Sequence, residues 1–402
     1  MSRTACLVGT LDTKGPEFEF LKERIEANNV GTYVINTGIL GEPHFEPEVS
    51  AEQVAEAGGT SLTALKSEGD RGNSVAAMAN GAARIVERLN DDGVIDGIIS
   101  LGGSAGTTIG TTAMRALPVG VPKLMVSTLA SGDTSPYVDT KDITMTYSVV
   151  DIAGVNSLSR QILTNAAGAI AGMINAEVPA ADDKPLIAAT MFGVTTPCVT
   201  KAREILEAAG YEVLVFHATG TGGRAMEDLV RGGFIVGVLD VTTTELADEL
   251  VGGVLSAGPD RLEAAGNQGI PQVVAPGALD MVNFGPPDTV PDKFEDRKFY
   301  QHNPTITLMR TTVDENAELG KIMGQKLSRA KGPTTVMIPE RGVSAIDAQD
   351  QPFDSPDARE AWIQNLKANV AENVTVIEMD NNINDDAFAV RLAETLLQNL
   401  KH

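Results

Sequence analysis

Short runs rich in β-branched residues alternate with longer stretches of helical period along almost the whole sequence, and few folds accept that pattern. A strand that returns parallel to its neighbour needs a crossover of a dozen or more residues, so the alternation predicts parallel sheets with helices on their faces. In the first half the strand candidates are residues 4–8, 31–36, 97–101 and 123–127. Helix candidates lie at 16–28, 73–91, 107–116 and, rich in small residues, 165–175. The segment EVPAADDKP (177–185) is polar, carries two prolines and reads as a linker. Beyond it the alternation resumes, with strands at 186–190, 212–217, 235–240, 272–275, 334–338 and 374–378. Helices are expected at 197–209, 225–231, 244–250 and 387–400, and residues 285–303 read as a long surface excursion. The expected architecture is α/β, with two Rossmann-like subdomains over 1–180 and 181–402, each a mainly parallel sheet with helices on both faces. ISLGGSAGTT (99–108) and FHATGTGGRA (216–225) share a strand, a Gly/Thr-rich turn and a helix start. That is compatible with duplication, but any alternating chain would show it.

Charge narrows the partners. The 402 residues carry 31 Lys and Arg against 54 Asp and Glu, a net charge of −23. Such a balance argues against a nucleic-acid partner and against an acidic membrane surface. Any phosphate site must therefore be built locally, from backbone N–H groups, a few cations and a metal. The two cysteines, Cys6 and Cys198, form no metal motif or disulfide framework. No apolar run is long enough for a signal-peptide core or a membrane span, so a cytoplasmic protein is expected.

Three turns follow strands of the first half, and in a parallel sheet such turns share the carboxyl edge where ligands bind. GTLDTK (9–14) offers Asp12, Thr13 and Lys14 before a helix whose N-terminus suits an anion. Equally, it reads as a capped turn with a solvated lysine. GGSAGTT (102–108) brings Gly102, Gly103, Ser104, Ala105, Gly106, Thr107 and Thr108, with backbone free to approach a ligand and hydroxyls to bind it. STLASGD (127–133) adds Ser127, Thr128, Ser131 and Gly132, with Asp133 as a candidate metal contact. Asn36 and Thr37 end a strand where a doubly wound fold often holds a ribose. Arg71 could meet a phosphate bidentately, or pair on the surface with Glu68 or Asp70.

These blocks occur in order with SVVDIAGVN (148–156), TMFGVTTPCV (190–199), the long run from Phe216 to Glu245, GALDMVNFGP (277–286), LMRTT (308–312) and PERGVSAID (339–347). The series resembles the ATP-binding domain family of the tomato mosaic virus resistance protein and its uncharacterised bacterial relatives, over about residues 4 to 395. The resemblance implies two Rossmann-like subdomains, ATP and magnesium (Mg2+) in the first, and a homodimer. It places nucleotide contacts at Asp12, Thr13, Lys14, Arg71, the 102–108 loop and residues 127–132. Ala105 stands where the family often has glycine, which narrows how closely backbone and phosphate can meet.

In the second half TGTGG (219–223) reads as a possible second anion cradle. His217 and Glu245 are the candidates for acid–base work, with a structural histidine as the alternative for His217. Gly222, Gly223, Arg224, Thr243, Asp280, Asn283, Arg341 and Ser344 are the candidate substrate contacts, expected in a cleft between subdomains. His44, His302 and His402 show no ligand spacing. The leading expectation is an ATP-dependent enzyme, a kinase, ligase or hydrolase, acting on a small polar metabolite. The alternative is an ATP-binding regulatory or interaction module without turnover, with a protein partner. A dehydrogenase ranks last, because GxGxxG is missing after the first strand.

Overall fold

Five parallel strands are laid down first: β1 (Thr4–Gly9), β2 (Gly31–Asn36), β3 (Gly97–Gly102), β4 (Lys123–Ser127) and β5 (Thr144–Tyr147). Between and after them run α1 (Gly15–Glu26), α2 (Ala51–Ala57), α3 (Leu62–Glu68), α4 (Arg71–Asp91), α5 (Ser104–Arg115), α6 (Ser135–Val138) and α7 (Ser157–Asn175). The structure is a computed structural model and describes residues 3–401. The chain divides into two compact units, Met1–Ala180 and Ala181–His402.

The period-two geometry of a strand explains the layering of the first unit. In β1, Ala5 and Leu7 face Phe18, Leu21 and Ile25 of α1 and Leu163 and Ile170 of α7. Cys6 and Val8 face the other way, toward Val54 of α2, Met78 and Ile85 of α4 and Ile109 and Met114 of α5. The sheet order is β2-β1-β3-β4-β5. The chain therefore reverses direction across the sheet at β1, and α1 and α5 leave the neighbouring edges of β1 and β3 toward opposite faces. A crevice at the carboxyl ends of those two strands is the geometric result.

The second unit repeats this plan. Its parallel sheet comprises β6 (Leu186–Met191), β7 (Glu212–His217), β8 (Ile235–Thr242), β9 (Gln272–Gly277), and the two later strands Thr334–Pro339 and Val374–Met379. Helices α8 (Thr196–Ala208), α9 (Thr221–Arg231), α10 (Glu245–Val251) and α11 (Ala264–Gln268) connect the earlier strands. A small antiparallel sheet follows, made of β10 (Met281–Phe284), β11 (Phe299–Asn303) and β12 (Ile306–Arg310). Next come α12 (Val313–Leu327), β13 (Thr334–Pro339), α13 (Pro356–Asn369), β14 (Val374–Met379) and α14 (Asp386–Asn399). The large sheet runs β14-β13-β9-β8-β6-β7, the same order as the first unit with a sixth strand added.

Several expectations need correction. Residues 285–303 are not a free excursion: β11 pairs with β12, and Phe294 is buried against Phe284 at 5.6 Å between ring centroids. Several helices start earlier than their apolar period suggests, because capping sets the start. Asp70 accepts the Asn73 N–H at 2.9 Å, which begins α4 at Arg71. Asn156 caps α7 by accepting from the Leu158 and Ser159 amides. The two turns compared in the sequence are not equivalent. By sheet order β7 corresponds to β2 and β8 to β3, so GGSAGTT matches the turn after β8, not the one after β7.

Candidate functional site

The crevice of the first unit holds a cavity of about 820 Å³, within the range of small-molecule sites. Asp12, Thr13 and Lys14 line it from the turn after β1, and Gly102, Gly103, Ser104, Ala105 and Gly106 from the turn after β3. Thr37 and Arg71 contribute from the end of β2 and the start of α4. Ile39, Leu40, Leu65, Val75, Met78 and Ile109 form an apolar wall.

The polar end is electrostatically unfinished. No side chain caps α1 or α5, so first-turn N–H groups of two 12-residue helices remain for another partner. Gly102 permits this arrangement, since a Cβ there would stand 2.8 Å from the Gly106 Cα. Two polar atoms, Asp12 Oδ1 and Thr37 Oγ1, are buried without any hydrogen-bond partner although both residues line the cavity. Such atoms are costly unless something satisfies them. Arg71 forms no ion pair with Glu68 or Asp70 among the described residues, and Asp70 is used as the α4 cap.

Other predicted contacts lie behind this surface. Asn36 is buried and does not line the cavity. Its Oδ1 accepts the Leu11 amide at 3.1 Å and the Gly38 amide at 2.9 Å, so it fixes two loops in place of touching a ribose. Thr107 and Ser127 are buried and bonded to each other at 2.7 Å, tying α5 to the end of β4. Thr108 donates to the Ser104 carbonyl at 3.0 Å. Thr128, Ser131 and Gly132 are outside the cavity lining. So is Asp133, which accepts from the Ser135 amide and hydroxyl just before α6; those bonds hold its carboxyl below its usual range. Sequence reasoning missed the apolar wall, although the Ser61 cap announces the short helix α3, which supplies Leu65 to it.

The second unit satisfies its carboxyl edge internally. Arg261 is fully buried and bonds Asp240 bidentately, at 2.5 and 2.7 Å. It also reaches Glu245 at 2.7 Å and Glu227 at 3.4 Å. Glu245 Oε1 accepts the Gly220 amide at 2.7 Å and the Gly223 amide at 3.1 Å. The expected anion cradle around Gly222 and Gly223 is thus filled by the chain's own carboxylate. A Cβ on Gly223 would stand 2.1 Å from that carboxylate.

The two acid–base candidates sit in different surroundings. Glu245 is engaged by Arg261, while His217 is exposed and packs on the Phe192 ring at 5.3 Å. Thr243 donates to the Ala275 carbonyl at 3.1 Å, and Asn283 bonds Asp248 at 2.7 Å. Ser344 donates to Asp280 at 2.9 Å; burial, with Asp347 nearby, pushes the Asp280 carboxyl up to about 7. Arg341 pairs with Asp380 at the surface, and Arg224 also has a partner. His44 contacts Glu19 at 3.2 Å, and His402 lies outside the described residues. Among the described residues no group of three or more His, Cys, Asp or Glu could hold a metal, and no helix is long and apolar enough to cross a membrane.

Two family models cover this chain: the N-terminal domain of an uncharacterised protein family (UPF0261) matches residues 3–179, and its C-terminal domain matches 184–400. The chain belongs to UPF0261. A UPF0261 protein of Clostridium tetani is 57% identical over 99% of both chains. Another, from Mesorhizobium japonicum, is 47% identical over 97% of this chain and 98% of that one. The ToMV resistance protein Tm-1(GCR237) of Solanum lycopersicum is 40% identical over 97% of this chain and 55% of its own length. Among solved structures, a UDP-N-acetylglucosamine 2-epimerase from Rickettsia bellii matches 68% of this chain and 79% of that one at 8% identity. Its TM-score of 0.24 is too low to bear on this UPF0261 member.

Proposed function

We propose that the first unit binds a nucleoside triphosphate, ATP with magnesium. The observation that carries this reading is the cavity at the β1/β3 reversal, bordered by two uncapped helix N-termini and two buried, unpartnered polar atoms. Helix N-termini that leave the sheet on opposite faces present N–H groups and positive dipole ends to a chain of phosphates. Lys14, Lys66 and Arg71 bring cationic charge to this cavity in a chain of net −23. The apolar wall suits a nucleobase, and the Thr37 hydroxyl suits a ribose or phosphate oxygen. Magnesium bound with nucleotides keeps water and phosphate oxygens as most of its ligands. Asp12 and Asp151 line the cavity with carboxylates of the kind that join them, so the absence of a three-residue metal cluster among the described residues does not oppose the reading.

Glu245 is held by Arg261 and two amides, which gives one of the two acid–base candidates a structural task. That observation favours the second reading, an ATP-binding regulatory or interaction module without turnover. Calorimetry with ATP, ADP, GTP and NAD, with and without magnesium, tests the primary reading. ATP with magnesium should bind, and Lys14→Ala should weaken it. Binding of NAD without ATP would refute the proposal. Phosphate release during the ATP titration would overturn the module reading.

A further inference from the structure

Lys14 has a second engagement that a simple phosphate ligand would not need. Its ammonium donates to the Ile152 carbonyl, 138 residues along the chain, although Lys14 lines the cavity. Three residues further on, Glu17 is buried and accepts the Gly154 amide at 2.6 Å. The first turn of α1 therefore grips residues 148–154 at two points, and Asp151 from that segment also lines the cavity.

The gripped segment is anchored at its ends and strained between them: the Ser148 amide donates to the Ser127 carbonyl at 3.1 Å, Ile152 is buried in the core, and the Gly154 carbonyl accepts from Ser159 Oγ at 3.2 Å. Val149 adopts φ +64°, a left-handed conformation that a β-branched residue avoids. Its local bonds are short-range: the Val150 amide donates to the Ser148 carbonyl at 2.7 Å, and the Ile152 amide to Asp151 Oδ1 at 2.9 Å. Val149 is 55% exposed and Val150 39%, and Tyr147 and Leu158 on either side are similarly exposed. Exposed apolar side chains, strain and an ammonium tether thus coincide beside the cavity.

We propose that Lys14 is a nucleotide-sensitive latch, which holds residues 148–154 through the Ile152 carbonyl and exchanges that carbonyl for a phosphate when the cavity fills. The latch rests on the nucleotide reading above. Its direction follows from charge, because an anionic phosphate adds a charge–charge attraction to the ammonium's hydrogen bond that a neutral carbonyl cannot offer. Release lets Val149 leave the left-handed region and rearranges the exposed Val149–Val150 surface. Nucleotide occupancy is thereby converted into a change at the protein surface, which is the coupling a regulatory module requires.

Hydrogen exchange on the full chain tests this, with magnesium-ATP as the probe. Filling of the cavity should slow exchange in residues 9–18 and 102–108, and the latch requires faster exchange in 148–154 at the same time. Slower exchange in the first two segments with unchanged or slower exchange in 148–154 overturns the latch and leaves nucleotide binding intact. No change in any segment refutes both. Lys14→Met provides an arm without ligand: its 148–154 segment should exchange as fast as that of the ATP-bound wild type. Wild-type exchange rates in ligand-free Lys14→Met would also overturn the latch.

Discussion

Asp248→Asn should make the second unit more stable at pH 8 while changing it little at pH 4.5. Asp248 is fully buried in α10, where its Oδ1 accepts the Leu255 and Asn283 amides, each at 3.1 Å, and its Oδ2 accepts from Asn283 Nδ2 at 2.7 Å. Those neutral donors do not offset desolvation. Burial pushes its carboxyl from the ordinary 3.8 up to about 7, and Glu245 nearby adds to the rise. With the folded value above the unfolded one, the folded state keeps a proton that the unfolded state has lost. The group's contribution is therefore most favourable below about pH 4 and declines as pH rises toward 7. At 1.36 kcal/mol per pH unit of displacement, linkage puts the loss at roughly 4 kcal/mol. An asparagine has no proton to lose. Its new amide nitrogen replaces Oδ2 opposite Asn283 Nδ2, and a flip of the Asn283 side-chain amide turns the buried, unpartnered Asn283 Oδ1 toward it as acceptor. Urea titration followed by Trp362 reads the second unit alone, since the chain has one tryptophan. With a slope of about 2–3 kcal/mol/M, the midpoint gap between variant and wild type should widen by about 1–2 M from pH 4.5 to pH 8. Midpoints that move in parallel across this range would show that Asp248 ionises normally, and would refute the reasoning.

Two further substitutions separate structural from ligand roles. Arg261→Met leaves Asp240, Glu245 and Glu227 buried without their shared counter-charge, which costs about 3–5 kcal/mol. The melting temperature read by Trp362 should fall by roughly 10 °C, and a shift within 2 °C (~0.5 kcal/mol) would deny the network that weight. Asn36→Ala strips the Leu11 and Gly38 amides of their acceptor without removing any atom from the cavity lining. ATP affinity measured by calorimetry should drop about tenfold, equivalent to 1.4 kcal/mol. Asn36→Asp, which keeps an acceptor oxygen, should restore most of it; loss of equal size in both variants would contradict a positioning role.

How far the sequence discloses such sites depends on the range of the interaction. The alternation of strand and helix is local, and so is the glycine-rich turn that opens α5, so both can be read directly. The unpaired state of Asp12 Oδ1 and Thr37 Oγ1 cannot, because it depends on what three separated loops fail to supply. Glu245 illustrates the converse. In sequence it follows three threonines at a strand end and resembles a catalytic acid, but its partners Gly220 and Arg261 lie 25 and 16 residues away. Only the fold shows that this carboxylate already occupies an anion cradle. The two sheets share one strand order, and both therefore place turns at the same kind of edge. Shared topology supplies the opportunity for a ligand, and side-chain satisfaction decides whether it remains open. In the second unit Arg261 and Glu245 close that edge with the chain's own charges. In the first unit the N-termini of α1 and α5 stay uncapped, and the proposed nucleotide is a partner whose charge and oxygen acceptors would complete them.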